Sequence, residues 1–202
     1  TEIAKRLSKK LDAPILVSGK LYRAVALEVI NRKINLRDKK KIIECAININ
    51  ENTLNSKDLY SDKIDRVSSQ ISSIKDLRLK LFKYQRNFPN KYIRSKKYAI
   101  IEGRDIGTVI FPGKKSHIKF FFWASSIERA RRRVKQIAKT KKKPSIQQVH
   151  KLIIARDIRD MTRKTAPLAP EAADYHLIDT TFLDIEQSFN TVIKLIKNKK
   201  DG

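Results

Sequence analysis

Four short apolar runs, separated by stretches of helical periodicity, constrain the fold of this chain more than any other feature. The runs are Ala13–Val17, Tyr98–Ile101, Ile118–Ala124 and Tyr175–Asp179. Short apolar runs bounded by polar or turn-forming residues are typical of buried strands. Strands that alternate with helices pair in parallel, and the helices cover both faces of the sheet. The pattern therefore predicts an α/β fold with a parallel sheet.

Apolar stripes and caps predict the helices. The stripes begin at Ile3, Val67, Ser145 and Ile185, and the second of them predicts one continuous helix from Val67 to Leu81. Ser125 with Glu128 forms a capping box, and Asp184 caps the last helix. By contrast, residues 31–65 show no sustained period. Their Asn-rich turns predict an inserted, partly irregular subdomain with a small hairpin.

Composition narrows the class of protein. The 202 residues suffice for one domain, and 46 Lys and Arg against 21 Asp and Glu give a net charge of +25. That charge favours phosphorylated metabolites, polyanions or anionic surfaces as partners, although dispersed lysine often only solubilises. A single cysteine, Cys45, excludes an internal disulfide and fits a reducing compartment. No apolar run approaches the roughly 20 residues of a membrane span. A cytoplasmic protein, with a monomer as the default state, is the simplest expectation.

Opposite charges follow the second apolar run. Arg104 and Asp105 come directly after Glu102-Gly103, where a parallel strand would end at the ligand-binding edge of its sheet. The arginine offers a planar fork of donors suited to phosphate, and the aspartate offers an acceptor suited to an amine or hydroxyl. A local surface ion pair is the alternative interpretation.

Two other segments place arginines beside hydroxyl or acidic partners. Ser18, Tyr22 and Arg23 follow the first strand, and Arg156, Asp160 and Arg163 share one helical face at i, i+4 and i+7. An exposed ion pair would explain the second set equally well. A further helix carries arginines suited to a mobile basic lid, at positions 129, 131, 132 and 133. Together these segments indicate a phosphorylated ligand.

Six ordered motifs make the chain resemble the bacterial cytidylate kinases over almost its whole length. They are SGKLYR from Ser18, SSQ from Ser68, EGRDIGTVIFP from Glu102, FFFWASSIERARRR from Phe120, RDIRDMTR from Arg156 and APLAPEAADYHLIDTT from Ala166. The resemblance implies an α/β P-loop NTPase fold of three layers with a parallel sheet, in a single domain over residues 1–202. Its core would be residues 1–30, 66–128 and 164–202, with a CMP-binding insert at about 31–65 and a helical lid at about 129–163.

The resemblance also implies a reaction and residue roles. ATP would phosphorylate CMP or dCMP with the help of Mg²⁺, and neither a membrane nor a nucleic acid would be involved. For the acceptor nucleotide, the implied monophosphate clamp is Arg23, Arg104 and Arg163, and the implied cytosine contacts are Ser69, Arg78 and Asp105. The implied sugar contacts are Arg156 and Asp160, and Ser18 and Tyr22 would line the acceptor pocket. On the ATP side, Arg129 and either Arg132 or Arg133 would reach the phosphates, and Thr1 would supply a hydroxyl to nucleotide and metal.

Three features depart from the family pattern or leave room for another reading. The family begins with a strand and a glycine-rich loop that ends in Gly-Lys-Gly followed by Thr or Ser, and Thr1 would be that hydroxyl residue. The 202 residues as given are therefore predicted neither to bind ATP normally nor to turn over. Glu102 stands where the family commonly has Asp, which leaves its role near the metal open. The alternatives are a basic nucleic-acid-binding protein, or a kinase of the same fold acting on UMP or AMP.

Overall fold

A computed structural model describes residues 1–47, 49–92, 94–113, 117–137, 144–162, 167–168 and 174–198. The chain divides into two compact units. The first comprises residues 1 and 3–106, and the second comprises residues 2 and 107–202.

Helices of the first unit surround a short pair of parallel strands. The elements are α1 Glu2–Lys10, β1 Ile15–Val17, α2 Ser18–Asn31, α3 Lys39–Cys45, α4 Glu51–Asn55, α5 Asp62–Ile71, α6 Lys75–Asn87 and β2 Ile100–Glu102, with 3₁₀ turns at Lys57–Tyr60 and Pro89–Lys91. Ile15 pairs with Ile100 and Val17 with Glu102, so both strands end at the same edge. A π-helical turn, Ile106–Ile110, follows β2; such turns are frequent at functional sites.

The core of this unit lies around α2. Leu21 and Val25 of α2 are fully buried and share one apolar cluster with Ile42, Leu59 and Leu77 from the surrounding helices. Burying a side chain of this size stabilises the fold by about 1.5–3 kcal/mol. Cys45 belongs to the same cluster, and its burial raises the pKa of the thiol. That environment suits packing and not reactivity.

The hairpin expected within residues 31–65 is wrong, because the described part of this segment is helical. The turn-forming residues act as helix caps instead. Asn50 accepts a hydrogen bond from the Thr53 N–H at 2.9 Å, and Ser61 accepts one from the Ile64 N–H at 3.3 Å. The same short polar side chains that favour turns satisfy the free N–H groups at helix starts, so composition alone does not separate the two.

The continuous helix predicted from Val67 to Leu81 is also wrong. It is two helices, because α5 ends at Ile71 and α6 begins at Lys75. The Ser72 and Ser73 hydroxyls each donate at 2.8 Å to the carbonyl three residues earlier, which competes with helix continuation. The apolar stripe survives the break because both helices pack on one core.

The second unit has a parallel strand pair with its own helices. Its elements are β3 Lys119–Trp123, α7 Ser126–Ile137, α8 Ile146–Thr162, β4 Tyr175–Asp179 and α9 Ile185–Asn198. Lys119 pairs with Tyr175 and Trp123 with Asp179. The predicted cap residues are confirmed: Ser125 Oγ accepts from the Glu128 N–H at 3.3 Å, and Asp184 accepts from the Gln187 N–H at 2.7 Å. The capping box is only half formed, because the Ser125 N–H donates to the Thr181 hydroxyl at 3.0 Å and not to the Glu128 carboxylate.

Parallel pairing is thus confirmed in both units, although the described residues form two separate strand pairs and not one continuous ladder. None of the helices in the described part of the chain combines the length and apolar character that a membrane span requires.

Candidate active site

The carboxyl ends of β1 and β2 bring the first predicted site residues together. Because Val17 pairs with Glu102, Ser18 and Gly103 emerge side by side. Ser18 is buried, and a Cβ built on Gly103 would lie only 2.2 Å from its hydroxyl oxygen. Glycine is therefore required here for close approach, not for an unusual backbone angle. The ends of the two strands therefore lie at one edge, as parallel pairing predicts.

Thr1 and Glu102 form an oxygen-rich pair at the same edge. The Thr1 hydroxyl donates to the Glu102 carboxylate at 3.1 Å. A hydroxyl and a carboxylate are the hard ligands that Mg²⁺ accepts, and Mg²⁺ usually completes its shell with water and substrate phosphates. No cluster of three or more His, Cys, Asp or Glu occurs among the described residues. The pair thus fits a partly hydrated, substrate-bound magnesium better than a closed protein cage.

A buried ion pair joins α6 to the turn that follows β2. Arg78 and Asp105 are only 3% and 6% exposed, and Nη2 of the arginine donates to Oδ2 of the aspartate. Nη1 of Arg78 donates to the Ser72 carbonyl at 3.2 Å. The Nε atom is buried and makes no hydrogen bond to the described residues. Because buried donors are nearly always satisfied in proteins, this donor is a candidate for binding a ligand.

Two aromatic rings hold the Arg78 guanidinium in place. Its Cζ lies 5.8 Å from the centroid of Tyr22 and 5.5 Å from that of Phe82. Phe82 is itself buried and stands one helical turn after Arg78 on α6. Cation–π contacts of this kind contribute about 2 kcal/mol when they are desolvated. The charged group is therefore both buried and fixed in orientation.

Arg23 of α2 is held by the segment around the 3₁₀ turn. Its Nη1 donates to the Leu59 carbonyl at 2.7 Å and forms an ion pair with Asp65. The guanidinium also lies over the Tyr60 ring, 5.5 Å from its centroid. In contrast to Arg78, the Arg23 side chain remains 26% exposed and accessible to a ligand.

The remaining predicted residues of the first unit are less constrained. Ser69 is exposed on α5, and the structure gives its hydroxyl no contact with Arg78. Arg104 is half-buried in the turn beside Asp105. Their predicted roles on base and phosphate stay predictions.

In the second unit, Arg129 ties α7 to its neighbours. Its Nε donates to the Ala124 carbonyl at 3.0 Å, and its Nη2 lies 2.6 Å from the Asp157 carboxylate. Arg133 is exposed, with one weak contact to Gln136 at 3.5 Å. Of these two arginines, Arg133 is the freer to reach a phosphate.

Arg132 has a different environment. It donates to the Glu128 carboxylate at 3.3 Å and to the Thr180 carbonyl at 2.6 Å, and further bonds reach the carbonyls of Thr181 and Leu183. These carbonyls belong to the turn between β4 and α9. The side chain therefore fastens α7 to that turn, and its donors are already used.

Arg156 and Asp160 form the i,i+4 pair that their spacing predicts, with 3.8 Å between Nε and Oδ2. The Arg156 side chain is 62% exposed, so the pair itself adds little stability. Arg163, the third member of the predicted face, lies outside the described residues.

Three residues that touch the predicted arginines were missed at the level of sequence. Phe82 could have been found, because it lies four residues from Arg78 on one helical face. Asp65 and Tyr60 gave no such signal, because their contact with Arg23 joins residues far apart in the chain.

Comparisons with known proteins point in one direction. A cytidylate kinase family model matches residues 1–198. The chain is 34% identical to a cytidylate kinase of Acidiphilium cryptum over 194 residues, which is 96% of this chain and 88% of the relative. It is 35% identical to a cytidylate kinase of Fusobacterium nucleatum, covering 98% and 92% of the two chains. For a cytidylate kinase of Rickettsia felis the identity is 37%, covering 96% and 84%.

Proposed function

Since the chain belongs to the cytidylate kinase family, which has the P-loop NTPase fold, we propose that it transfers a phosphoryl group from ATP to CMP or dCMP. The products are ADP and CDP or dCDP, so the protein is a transferase. The observation that carries the substrate assignment is the buried Arg78–Asp105 pair with its unused Nε donor.

That pair matches the edge of cytosine. Cytosine presents an exocyclic amine, which a carboxylate accepts, beside ring acceptors, which a guanidinium donates to. Uracil presents a carbonyl in place of the amine and would set an acceptor against Asp105. A protein site that hydrogen-bonds the polar edge of one base binds a different base weakly when the buried polar groups of the site are then left without hydrogen bonds. Ser69 is proposed as a third base contact.

The monophosphate is proposed to bind Arg23 and Arg104, with Arg163 as the third member of the clamp. Arginine forks bind phosphate oxygens in a bidentate way and orient the group as well as neutralise it. Ser18 and Tyr22 line the acceptor pocket, and Arg156 with Asp160 are proposed for the sugar hydroxyls. An aspartate acceptor and an arginine donor suit a hydroxyl, which both gives and takes a hydrogen bond.

On the donor side, we propose that Thr1 and Glu102 hold Mg²⁺ and that Arg129 and Arg133 face the ATP phosphates. Bound Mg²⁺ would neutralise charge on the phosphates. Arg132 was proposed from the resemblance as an alternative to Arg133, and its bonds to Glu128, Thr180, Thr181 and Leu183 favour Arg133.

The protein itself does little covalent chemistry in phosphoryl transfer. Its rate comes from holding the acceptor oxygen in line with the transferred group and from fixed positive charge around the equatorial oxygens. Arg23 and Arg104 would orient the accepting phosphate, while the buried Arg78–Asp105 pair fixes the base and hence the register of the whole nucleotide. Closure of the proposed lid, at about residues 129–163, would exclude water that otherwise hydrolyses ATP.

Titration calorimetry with CMP, dCMP and UMP tests the proposal. The three ligands carry the same phosphate charge, so nonspecific attraction to a chain of charge +25 cancels in the comparison. We expect CMP and dCMP to bind. UMP should bind at least tenfold more weakly, because a loss of about 1.4 kcal/mol in base contacts corresponds to a tenfold loss in affinity. A coupled assay for ADP with Mg-ATP and CMP then measures the transfer and tests the prediction that the 202 residues as given do not turn over. Equal affinity for CMP and UMP, or no binding of CMP, would refute the assignment.

A further inference from the structure

Three contacts to Arg23 come from one short stretch of chain, Leu59 to Asp65. Leu59 contributes its carbonyl, Tyr60 the face of its ring and Asp65 its carboxylate. Leu59 is fully buried in the core cluster, so the stretch is anchored to the body of the unit. The guanidinium is therefore held in place by two polar groups and by the face of an aromatic ring.

Both polar contacts use the same nitrogen. Nη1 of Arg23 donates to the Leu59 carbonyl and forms the ion pair with the Asp65 carboxylate, while the Nε and Nη2 edge makes no hydrogen bond to the described residues. That edge carries two parallel N–H groups, which is the arrangement that binds two oxygens of one phosphate. With 26% of the side chain exposed, solvent and ligands can reach it.

We propose that Asp65, assisted by Tyr60, is a positioning residue that presents the open edge of Arg23 to the phosphate of the acceptor nucleotide. This rests on the function proposed above. An arginine side chain has several rotatable bonds, and ordering it during binding lowers affinity. Contacts that order it in the free protein remove that loss. Asp65 and Tyr60 do not touch the nucleotide in this arrangement; they act through Arg23.

A carboxylate beside a phosphate site also has an opposing effect, because its negative charge repels the ligand. The two effects differ in sign and can be separated by substitution. Asp65→Ala removes both the charge and the acceptor oxygen. Asp65→Asn removes the charge and keeps an acceptor oxygen for Nη1 of Arg23. If positioning dominates, the alanine variant binds CMP more weakly and the asparagine variant recovers the loss.

The experiment is a calorimetric titration of CMP, and of cytidine as a ligand without phosphate, into the chain and its variants. We expect Asp65→Ala to weaken CMP binding about fivefold, the size of the affinity loss for ordering one long side chain. Cytidine binding should be unchanged, which a merely unfolded or distorted site would not allow. Asp58→Ala is the matched control: Asp58 lies in the same stretch, and its side chain bonds Ser56 and not Arg23.

Asp65→Ala binding CMP as tightly as, or more tightly than, the parent chain would overturn the proposal. If that variant does not fold, Tyr60→Ala decides, because the Tyr60 side chain is 65% exposed and its removal leaves the core intact. It should weaken CMP about twofold with no effect on cytidine, and an unchanged CMP affinity would overturn the proposal as well. Failure of the parent chain to prefer CMP over UMP refutes the proposed function first, and the role of Asp65 falls with it.

Discussion

The arginines of the first and second units differ in how many of their N–H donors are already hydrogen-bonded within the protein. In the first unit, Arg78 has a buried Nε and Arg23 a whole edge that make no hydrogen bond to the described residues. In the second unit, Arg132 bonds one carboxylate and three carbonyls, and Arg129 bonds a carbonyl and Asp157. An arginine can bind a ligand only with donors that the fold has not already used. The difference makes Arg78 and Arg23 the better candidates for binding a ligand.

The largest expected effect comes from breaking the buried pair. Arg78→Met removes the guanidinium from the buried Asp105 carboxylate, and we expect a loss of about 3–5 kcal/mol in the free energy of unfolding, together with loss of CMP selectivity. Denaturant unfolding and calorimetry measure the two. Arg156→Met, which removes an arginine that is 62% exposed, is the stability control and should cost about 0–1 kcal/mol. Similar losses in both variants would contradict the distinction between buried and exposed arginines.

Arg132→Met tests the other side of the comparison. Removing a charged donor from several carbonyls should cost about 2 kcal/mol of stability and leave CMP affinity unchanged, because neither Arg132 nor its acceptors are proposed to bind CMP. Thermal unfolding and CMP titration give the answer. A variant with parent-like stability and weakened ATP binding would instead place Arg132 on the donor phosphates.

Gly103→Ala tests the strand edge of the first unit without replacing any arginine. The added Cβ would meet the Ser18 hydroxyl at 2.2 Å and Ile106 Cδ1 at 2.9 Å, so either these side chains or the turn that carries Arg104 and Asp105 must shift. We expect a loss of about 1–3 kcal/mol in stability and weaker CMP binding. The matched control is Gly19→Ala, where a Cβ meets nothing within 4 Å. Equal behaviour of the two variants would show that the close approach is unimportant.

The smallest effect concerns alkaline pH and the tyrosines of the first unit. Burial raises the pKa of Tyr92, and the hydrogen bond that its hydroxyl donates to Glu51 raises it further. Because the folded-state pKa lies above the ordinary value of 10.0, the stabilisation is present below pH 10 and is lost as the pH rises through the folded-state pKa. Tyr92→Phe should therefore flatten the fall in stability above pH 10, as unfolding at pH 8 and pH 11 would show. An unchanged pH dependence would remove Tyr92 as a contributor.

The predicted strands, their parallel pairing and the caps at Ser125 and Asp184 are all found, because each depends on local pattern. The hairpin and the continuous helix failed for a related reason. Short polar side chains such as Asn50 and Ser72 can serve a turn, a cap or a helix break, and the choice depends on what packs beside them. Local sequence carries no record of those neighbours.

For the candidate site, the family resemblance selected Arg23, Arg78 and Asp105. Only the folded chain shows that Arg78 is buried against Asp105 with two aromatic rings near its guanidinium, and that Asp65 reaches Arg23. The sequence by itself determined which residue types stand at the strand ends and which family the chain belongs to. The tertiary structure decided which of their donors remain open, because hydrogen-bond partners distant in sequence are chosen by packing and not by local pattern.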